Sequence, residues 1–538
     1  MIQGNWDRRE MSRRAFLTRA GMGAGALAVA ASGFSEHPAW AKPFFKQEPF
    51  SLGVASGDPT PDGVVLWTRL APEPLAEDGQ GGMPLRKAPV RWEVATDEAF
   101  RDVVRKGNTH ATPELAHSVH VEVKGLAPGR EYFYRFKTGS EISPAGRTKT
   151  APPFAGQTSA LTFAFASCQN YENGYYAPYE HMARENLDLV VFLGDYIYEG
   201  DVVSPVGREH VGLEPRTLAQ YRTRHAQYKG DENLRAAHAA FPWLVTWDDH
   251  EVDNNWAGED QDPDAASREE FLARRAAAFQ AYYEHLPLRA PQRPVGPDLL
   301  LYRRATFGNL AEFNVLDTRQ YRSDQVSCNK ANSDADGYCA AALDPGRTIL
   351  GDAQERWLQG GLSASQAKWN VLANQVVFAE RMEDNGVAGG GDSWDGYVAD
   401  RRALVDLFAG AAGRAPSNPV VITGDIHNNR IFDLKEDFAE PSSRTVGTEF
   451  VGTSISTGGD APRERNGGQW TTIYGDETGV NEHQKFYDTH RGYVRCTVTQ
   501  QEWTADFRGI ETTQTPTSPI STIASFVVED GEPGAKRA

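Results

Sequence analysis

The most informative pattern in the chain is an apolar run of strand length that stops abruptly on a polar side chain able to bind a metal ion. The run 163–166 leads into Cys168, and the run 189–193 leads into Asp195. The segment 177–186 between them has a helical pattern, so the order strand, helix, strand predicts a parallel pair with a right-handed crossover. Both polar residues would then emerge at the carboxyl edge of the sheet, where α/β proteins bind ligands.

The same pattern recurs further along the chain. Four more strand-like runs end at once in polar side chains, at Asp248-Asp249-His250-Glu251, Asp317-Thr318-Arg319, Asn374-Gln375 and Gly424-Asp425-Ile426-His427. For one isolated strand end, the ordinary interpretation is a turn or a helix N-cap. The repetition favours a shared binding site, because an extended segment would also project Asp425 and His427 to one side. Tyr198 is expected to join this site, and a buried structural cysteine stays the alternative for Cys168.

Residues 45–150 have a different pattern, of short strands separated by turn residues such as Gly57-Asp58-Pro59. That spacing predicts a small N-terminal β-sandwich. The stretch 148–159, rich in Pro, Gly and Thr, is a predicted linker. In residues 160–520 strands alternate with helical patterns, which predicts an α/β catalytic domain.

Residues 1–41 predict an export signal. The twin arginines Arg13 and Arg14 are followed by an apolar, Gly- and Ala-rich run at 20–31 and by the small-residue cleavage pattern Ala39-Trp40-Ala41. The apolar run is too short to serve as a transmembrane anchor. The order resembles a twin-arginine signal peptide, so the expected partner is the twin-arginine export machinery and the expected location is periplasmic or secreted.

Charge and cysteine content narrow the possible functions. The formal net charge of −18 over 538 residues argues against a nucleic-acid-binding surface. Bound metal ions would give so acidic a chain the local positive charge that an anionic substrate needs. Cys328 and Cys339 flank a polar loop and are candidates for a small disulfide in an oxidising compartment. Cys496 lies in an alternating run and is expected to pack in a sheet.

Three motifs carry a resemblance to a known family: Gly194-Asp195-Tyr196-Ile197-Tyr198, Trp247-Asp248-Asp249-His250-Glu251 and Gly424-Asp425-Ile426-His427. In this order after Cys168 they resemble the calcineurin-like metallophosphoesterases, and most closely the PhoD-type (alkaline phosphatase D) family, which is related in fold to purple acid phosphatases. The resemblance covers essentially the whole mature chain. It implies a four-layer α/β/β/α metallophosphoesterase domain preceded by a small fibronectin III-like β-sandwich.

The resemblance also implies a ferric ion, Fe(3+), beside calcium, Ca(2+). Carried over by position, the residues at the iron would be a thiol, a carboxylate, a phenol and a nearby imidazole, namely Cys168, Asp195, Tyr198 and His427. Asp195 would bridge to calcium, whose other ligands would be Asp425 and Asp248 or Asp249, or both. An amide ligand is expected at Asn374 or Gln375. Thiolate and phenolate suit Fe(III), whereas carboxylate and amide oxygens suit Ca²⁺.

The implied reaction is metal-assisted hydrolysis of a phosphate ester by in-line displacement. In metallophosphoesterases a histidine at the position of His250 contacts the phosphate or protonates the leaving group. A hydrogen-bonded loop histidine is the structural alternative. Arg319 and Arg322 would add positive charge near the site, although surface ion pairs are the expected role of both.

The predicted function is therefore a secreted, metal-dependent phosphatase for phosphomonoesters and also phosphodiesters. A phospholipase D-like phosphodiesterase is the nearest alternative, because members of the family have been described by that activity. A non-catalytic calcium-binding extracellular module would use the same acidic residues without turnover. A cysteine hydrolase with Cys168 as nucleophile would need an activated thiolate beside a histidine.

Overall fold

The computed structural model describes residues 45, 47–156, 158–200, 204–259, 267–459, 470–476 and 479–538. The predicted export signal at 1–41 lies outside these residues. Within them the chain forms 23 strands and six α-helices, with the strands arranged in three sheets. A mixed α/β fold is thereby confirmed. None of the helices in the described ranges combines the length and the apolar character that crossing a bilayer requires.

The strands are β1 Val54–Thr60, β2 Gly63–Arg69, β3 Ala88–Ala95, β4 Val103–Ala111, β5 Ser118–Lys124, β6 Glu131–Thr138, β7 Glu141–Ile142, β8 Gly146–Lys149, β9 Ala160–Ala166, β10 Leu189–Phe192, β11 Pro242–Val245, β12 Arg303–Phe307, β13 Ala311–Val315, β14 Trp369–Ala373, β15 Pro419–Thr423, β16 Asn429–Lys435, β17 Thr445–Val451, β18 Thr472–Tyr474, β19 Gln484–Asp488, β20 Gly492–Thr499, β21 Glu502–Ile510, β22 Ile520–Glu529 and β23 Glu532–Arg537. The helices are α1 Ala177–Met182, α2 Leu218–Lys229, α3 Glu232–Ala240, α4 Arg268–His285, α5 Gly351–Ala364 and α6 Val398–Ala409.

The ten-stranded sheet carries the first group of motifs. Its strand order is β23-β22-β21-β20-β9-β10-β11-β1-β2-β5, and the neighbouring strands from β9 to β1 run parallel. Helix α1 lies between β9 and β10, which confirms the predicted strand–helix–strand unit. Because parallel strands place their carboxyl ends at one edge, Cys168, Asp195 and Asp248 share that edge.

The eight-stranded sheet carries the second group of motifs. Its order is β12-β13-β14-β15-β17-β16-β19-β18, and the strands β13, β14, β15 and β17 are parallel. The carboxyl ends of the two sheets meet, because Ser167 after β9 forms a parallel bridge with Ser454 after β17. The backbone N–H of Ile455 also donates to the Ser167 carbonyl at 3.0 Å. Strand ends from both sheets therefore border one site.

Three buried cores hold these sheets and helices together. Between the sheets, the Phe163 ring meets Phe313 at 5.2 Å and Trp503 at 5.4 Å, both edge to face. A second core lies between the ten-stranded sheet and α1 to α4, where Trp247 stacks on Phe279 at 4.1 Å. A third core lies between the eight-stranded sheet and helices α5 and α6. Burial of this apolar surface drives folding and fixes the positions from which the polar strand ends project.

The N-terminal strands are divided between two sheets. Strands β3, β4, β6, β7 and β8 form a five-stranded sheet, whereas β1, β2 and β5 extend the ten-stranded sheet through parallel pairing of β1 with β11. The two groups enclose one core, which contains Val64, Val94 and Tyr134. One face of this unit is thus continuous with the sheet that carries the metal-competent residues.

The turn predicted at Gly57-Asp58-Pro59 is wrong, because these residues lie inside β1. Pairing with β11 and β2 reaches Gly57, and pairing with β2 resumes at Thr60, so the strand continues through the tripeptide. The local sequence preference shows only as an irregularity: the register with β2 shifts between Gly57 and Thr60, and Asp58 has a φ of 44°. Tertiary pairing therefore overrides the turn propensity of this tripeptide.

The cysteines take the states that their positions predicted. Cys328 and Cys339 form a disulfide with their Cα atoms 5.1 Å apart. Cys496 is buried in β20, and Cys168 is buried with a free thiol at the end of β9. Cys168 is therefore available as a ligand.

Candidate metal centre

The strand ends are tied to one another by backbone hydrogen bonds at the site. The Cys168 N–H donates to the Gly194 carbonyl and the Gln169 N–H to the Asp195 carbonyl, each at 3.1 Å. On the second sheet, the Gly424 N–H donates to the Gln375 carbonyl at 3.0 Å. These bonds fix the loops that follow β9, β10, β14 and β15 relative to one another.

Four of the predicted ligands have a left-handed backbone, a conformation that non-glycine residues rarely adopt. The φ angles are 57° at Cys168, 58° at Asp195, 66° at Asp425 and 53° at His427. Each such residue costs of order 1 kcal/mol or more and persists only where the surrounding structure imposes it. Their concentration at three strand ends, those of β9, β10 and β15, indicates that the sharp turns orient these side chains.

Two glycines allow the strand ends to approach this closely. A Cβ added at Gly194, which has a φ of 113°, would lie 2.5 Å from the Asp248 Cβ. A Cβ added at Gly424 would lie 2.5 Å from the Ser167 Oγ. The two Gly-Asp motifs therefore place a carboxylate next to a backbone position where only glycine fits.

Three overlapping groups of potential ligands result. In each group the ligand atoms all lie within 4.8 Å of one another, and the groups are Cys168 with Asp195 and His427, Asp195 with Asp249 and His250, and Asp248 with Asp249 and Asp425. Asp195 and Asp249 each belong to two groups, so the three form one continuous centre. The Tyr198 hydroxyl joins it, because it donates to the Asp195 Oδ2 at 2.7 Å and lies 3.2 Å from the His427 Nε2.

The chemistry of the centre fits cations. The Oδ1 of Asp195, the Oδ2 of Asp248 and the Oδ1 of Asp249 are buried without a hydrogen-bond partner. Burial raises the pKa of Asp195 well above its usual value, and the nearby carboxylates of Asp249 and Asp248 raise it further. Buried carboxylate oxygens are costly unless they are paired or coordinate a metal ion, so a bound cation would balance the charge of this cluster.

The thiol and phenol are also held in their neutral forms by burial. Burial raises the pKa of Cys168 well above its usual value, as do the neighbouring carboxylates of Asp195 and Asp425. Burial and Asp195 do the same for Tyr198. Because a metal ion binds the thiolate and the phenolate, cation binding would release protons from both groups.

His250 lies against Tyr198, with the ring centroids 4.1 Å apart, and its Nδ1 is 2.7 Å from the Glu199 Oε2. Burial lowers the pKa of His250, but the carboxylates of Glu199, Asp249 and Asp195 outweigh burial and raise the pKa well above its usual value. The imidazole is therefore paired and oriented, and a proton on it is stabilised.

Comparison with known proteins agrees with this geometry. A family model described as "PhoD-like phosphatase" matches residues 163–507, and a second, "PhoD-like phosphatase, N-terminal domain", matches residues 36–152. Alkaline phosphatase D of Bacillus subtilis (strain 168) is 50% identical over 539 residues, which cover 98% of this chain and 89% of that protein. The chain belongs to the PhoD-like phosphatase family.

A solved structure agrees with this assignment. The structure described as "Structure of PhoD" aligns with a TM-score of 0.84 and 50% identity over 92% of this chain and 93% of that chain. The resemblance deduced from the three motifs is confirmed, and this PhoD-like phosphatase is a phosphoric ester hydrolase. Membership of an enzyme family decides against the non-catalytic calcium-binding module.

Asn374 is the predicted ligand that no described contact connects to the others. Its Oδ1 accepts from the Trp394 indole N–H at 3.2 Å, and its Nδ2 donates to the Val376 carbonyl. Gln375 is equally engaged, because its Oε1 accepts from Thr318 at 2.8 Å and its Nε2 donates to Thr246. Both amides of this PhoD-like phosphatase anchor strand ends, and a ligand role for Asn374 stays a prediction.

The expected surface ion pairs of Arg319 and Arg322 are wrong. Arg319 is fully buried, and its guanidinium contacts Asp248 at 2.5 Å, Asp392 at 2.7 Å and Asp249 at 3.6 Å. The side chain of Arg322 is buried beside it and lies 3.2 Å from the same Asp392. The loop that carries Asp392 contacts both arginines, so side chains that were expected at the surface lie beside the centre.

Two glutamates to which the sequence analysis assigned no role, Glu199 and Glu251, hold the centre together. Glu251, which is 1% exposed, accepts hydrogen bonds from the backbone N–H groups of Asp195 at 3.2 Å and Asp248 at 2.8 Å. Glu199 accepts from the Asn254 N–H at 2.8 Å in addition to its contact with His250. Their positions in the sequence could have indicated these roles, because Glu251 is the last residue of one motif and Glu199 directly follows Tyr198 of another.

The loop after β17 was also missed. Thr457 is buried, and its hydroxyl lies 3.0 Å from the Tyr198 hydroxyl and 2.7 Å from the Cys168 carbonyl. Arg491 donates to the Thr457 carbonyl at 2.6 Å and to the His427 carbonyl at 2.8 Å. This loop follows a buried strand as the other motifs do, but it carries small hydroxyl side chains instead of charged ones.

Proposed function

We propose that this chain is a metal-dependent phosphatase whose centre holds a ferric ion beside calcium. The proposal is carried by the three overlapping ligand groups and their partnerless carboxylate oxygens. Thiolate, phenolate and imidazole suit Fe(III), which assigns Cys168, Tyr198 and His427 to iron. Carboxylates suit calcium, which assigns Asp248, Asp249 and Asp425 to calcium. Asp195 would bridge, and the Asn374 amide would complete the set.

When bound, the cations would polarise the phosphate oxygens and activate the attacking water. The side chains of the protein would supply the proton for the leaving group and balance part of the carboxylate charge. With its Nδ1 paired to Glu199, His250 retains Nε2 to donate a proton to the leaving oxygen. Arg319 balances part of the carboxylate charge, so that the site can accept an anionic ester. In-line displacement requires this positioning more than covalent participation by the protein.

The metal proposal is tested by elemental analysis of the natively exported protein, with turnover measured before and after chelation. Iron together with calcium is expected, with activity lost to the chelator and restored by the two metals. The outcome that contradicts it is full turnover by protein from which both metals have been removed.

The role of His250 is tested with esters of graded leaving-group pKa. His250→Asn keeps a hydrogen-bond donor for Glu199 but removes the proton donor. We expect a loss of about 10²- to 10⁴-fold on alkyl phosphates and a much smaller loss on p-nitrophenyl phosphate, which needs no protonation. An equal loss on both esters would indicate binding of phosphate and not proton transfer.

Substrate class requires a direct comparison. We propose that monoesters are hydrolysed and diesters also, and the assay measures product release from p-nitrophenyl phosphate, bis-p-nitrophenyl phosphate and phosphatidylcholine under identical metal conditions. A phospholipase D-like enzyme would show a higher kcat/KM for phosphatidylcholine than for the monoester.

Two further features belong to the proposal. We infer that residues 1–41 direct twin-arginine export to the periplasm or medium; replacing Arg13 and Arg14 by lysine should then leave the protein in the cytoplasm.

We also infer an α/β/β/α layering and a fibronectin III-like N-terminal unit. The latter is supported by the Ala127 N–H, which donates to the Tyr132 hydroxyl at 2.9 Å in the manner of a tyrosine corner.

A further inference from the structure

A buried cluster of basic and aromatic side chains lies where helices α2 and α4 pack against strand β2. We call it the Lys229 cluster, and its members are Arg69, Tyr196, His225, Lys229 and His285. All five are at most 1% exposed. The Arg69 Nη1 is 2.6 Å from the His285 Nε2, and the His285 ring stacks on His225 at 5.0 Å. The Tyr196 ring is 6.1 Å from the His225 ring and 5.8 Å from the Lys229 ammonium.

Lys229 has no carboxylate partner among the described residues. Its ammonium lies 4.2 Å from the centroid of the Trp67 ring, which is a cation–π contact. The carboxyl end of α2, where Lys229 is the last residue, offsets part of its charge. Burial lowers the pKa of Lys229 well below its usual value, because a buried ammonium without a counter-ion is costly.

Arg69 adds to the uncompensated positive charge. Its guanidinium donates to the carbonyls of Ala116 at 2.9 Å and Gly79 at 2.7 Å, both of them neutral acceptors. The neighbouring carboxylate, Glu284, is taken by Arg222 through two hydrogen bonds of 2.6 Å. Buried cations therefore outnumber buried carboxylates in this part of the fold.

His225 supplies an independent observation. It is fully buried, and neither of its ring nitrogens has a hydrogen-bond partner. A neutral imidazole always carries one N–H, so a donor is left without an acceptor next to a lysine whose charged form has no counter-ion. Such buried donors are rare unless a further group satisfies them.

We propose that the Lys229 cluster binds a small monovalent anion of the size of chloride, which accepts hydrogen bonds from Lys229 and His225. Aromatic rings lie 4.2 and 5.8 Å from the ammonium and the cluster is almost fully buried, which favours a small ion over a phosphate ester or a larger carboxylate. The anion would fasten helix α2 to the N-terminal strands. This inference does not depend on the proposed metals or substrates.

The first test locates the anion directly. Crystals of the full chain are grown in gluconate, soaked in bromide and measured at the bromine absorption edge. An anomalous peak within hydrogen-bond distance of the Lys229 Nζ and a His225 ring nitrogen is expected. A water molecule in that position, or a well-defined cluster without an anomalous peak, would overturn the proposal.

The second test measures stability. At constant ionic strength, replacing gluconate by bromide should raise the Tm by about 1 to 3 °C, because the anion binds only the folded chain. Lys229→Met should abolish this response, whereas Lys106→Met on the exposed strand β4 should retain it. His225→Phe keeps an aromatic ring stacked on His285 but removes the ring nitrogens. It should also abolish the Tm response to bromide, and it replaces Lys229→Met in the test if that variant does not fold. A wild-type halide response in both cluster variants contradicts the anion site.

Discussion

The two halves of the candidate metal centre are built in opposite ways. On the side of Cys168, Tyr198 and His427, the protein itself holds the ligands: the Tyr198 hydroxyl contacts Asp195, His427 and Thr457 at 2.7 to 3.2 Å. On the side of the carboxylates, one oxygen each of Asp248 and Asp249 has no hydrogen-bond partner, and a buried arginine supplies the positive charge. The first half is preorganised by hydrogen bonds. In the second half, the negative charge of the carboxylates is partly neutralised by Arg319, and a bound cation would neutralise more of it.

This difference predicts different behaviour on metal loss. A preorganised set of ligands keeps its geometry when the ion leaves, because hydrogen bonds fix the side chains. A cluster of carboxylates without a cation repels itself, and that repulsion is opposed by Arg319 and by a proton on His250. The sulfur–phenol–imidazole half should therefore retain its metal more firmly and the carboxylate half should depend more strongly on calcium in solution.

The largest effect is expected from Asp195→Asn, because Asp195 belongs to both halves. Loss of the bridging carboxylate should lower kcat/KM at least about a thousandfold and reduce the content of both metals. Kinetics and elemental analysis measure the two effects. Asp336→Asn, on an exposed loop, is the control, and retention of both metals at wild-type levels in Asp195→Asn would show that the halves are not bridged there.

Arg319→Met tests the balance of charge in the carboxylate half. Removal of a buried partner leaves Asp248 and Asp249 without an arginine and leaves Asp392 with Arg322 alone, so the metal-free protein should lose about 3 kcal/mol of stability, seen as a lower denaturant midpoint. The calcium-loaded protein should lose less, because the cation neutralises the same oxygens. Arg402→Met, on the exposed face of α6, serves as the control. An equal loss with and without calcium would argue that Arg319 stabilises the fold and not the site.

Cys168→Ser and Asp425→Asn should separate the two halves. We expect Cys168→Ser to lose iron while calcium stays bound, and Asp425→Asn to lose calcium while the visible absorption of a phenolate–iron pair remains. Activity should fall about a hundredfold in each, as when one electrostatic contact to the transition state is lost. Asparagine also tolerates the left-handed backbone at 425. If either variant loses both metals together, the division into halves is wrong.

Much of this centre could be predicted from sequence because a strand end is a local signal. When an apolar run forms a parallel strand, the polar residue that follows it emerges at the carboxyl edge of the sheet. Asp195, Asp248 and His427 were predicted to share a site from this pattern, and they lie in the groups of potential ligands. The continuous sheet through β1 and β11 could not be predicted, because the pairing joins residues such as Ser56 and Pro242 that no local pattern connects.

Other features were missed for a physical reason that they share. The role of Arg319 depends on a loop that returns with Asp392, 73 residues later, so its burial is invisible in its own neighbourhood. The left-handed backbone of Cys168 is imposed by contacts with other strand ends, since cysteine has no intrinsic preference for it. Thr457 reaches Tyr198 across 259 residues, and a threonine after a strand carries no recognisable chemical signal.

Thr457→Val gives the smallest of these effects and tests preorganisation itself. The single proton of the Thr457 hydroxyl faces both the Cys168 carbonyl at 2.7 Å and the Tyr198 oxygen at 3.0 Å. Donated to a Tyr198 phenolate, it stabilises that anion, and its loss should weaken iron binding about tenfold, as is typical for a residue that orients a ligand. The phenolate absorption band should shift as well, while calcium affinity should stay unchanged. Thr457→Ser retains the hydroxyl and should restore both iron affinity and the band. Wild-type iron affinity and an unshifted band in Thr457→Val would show that this hydrogen bond does not preorganise the half.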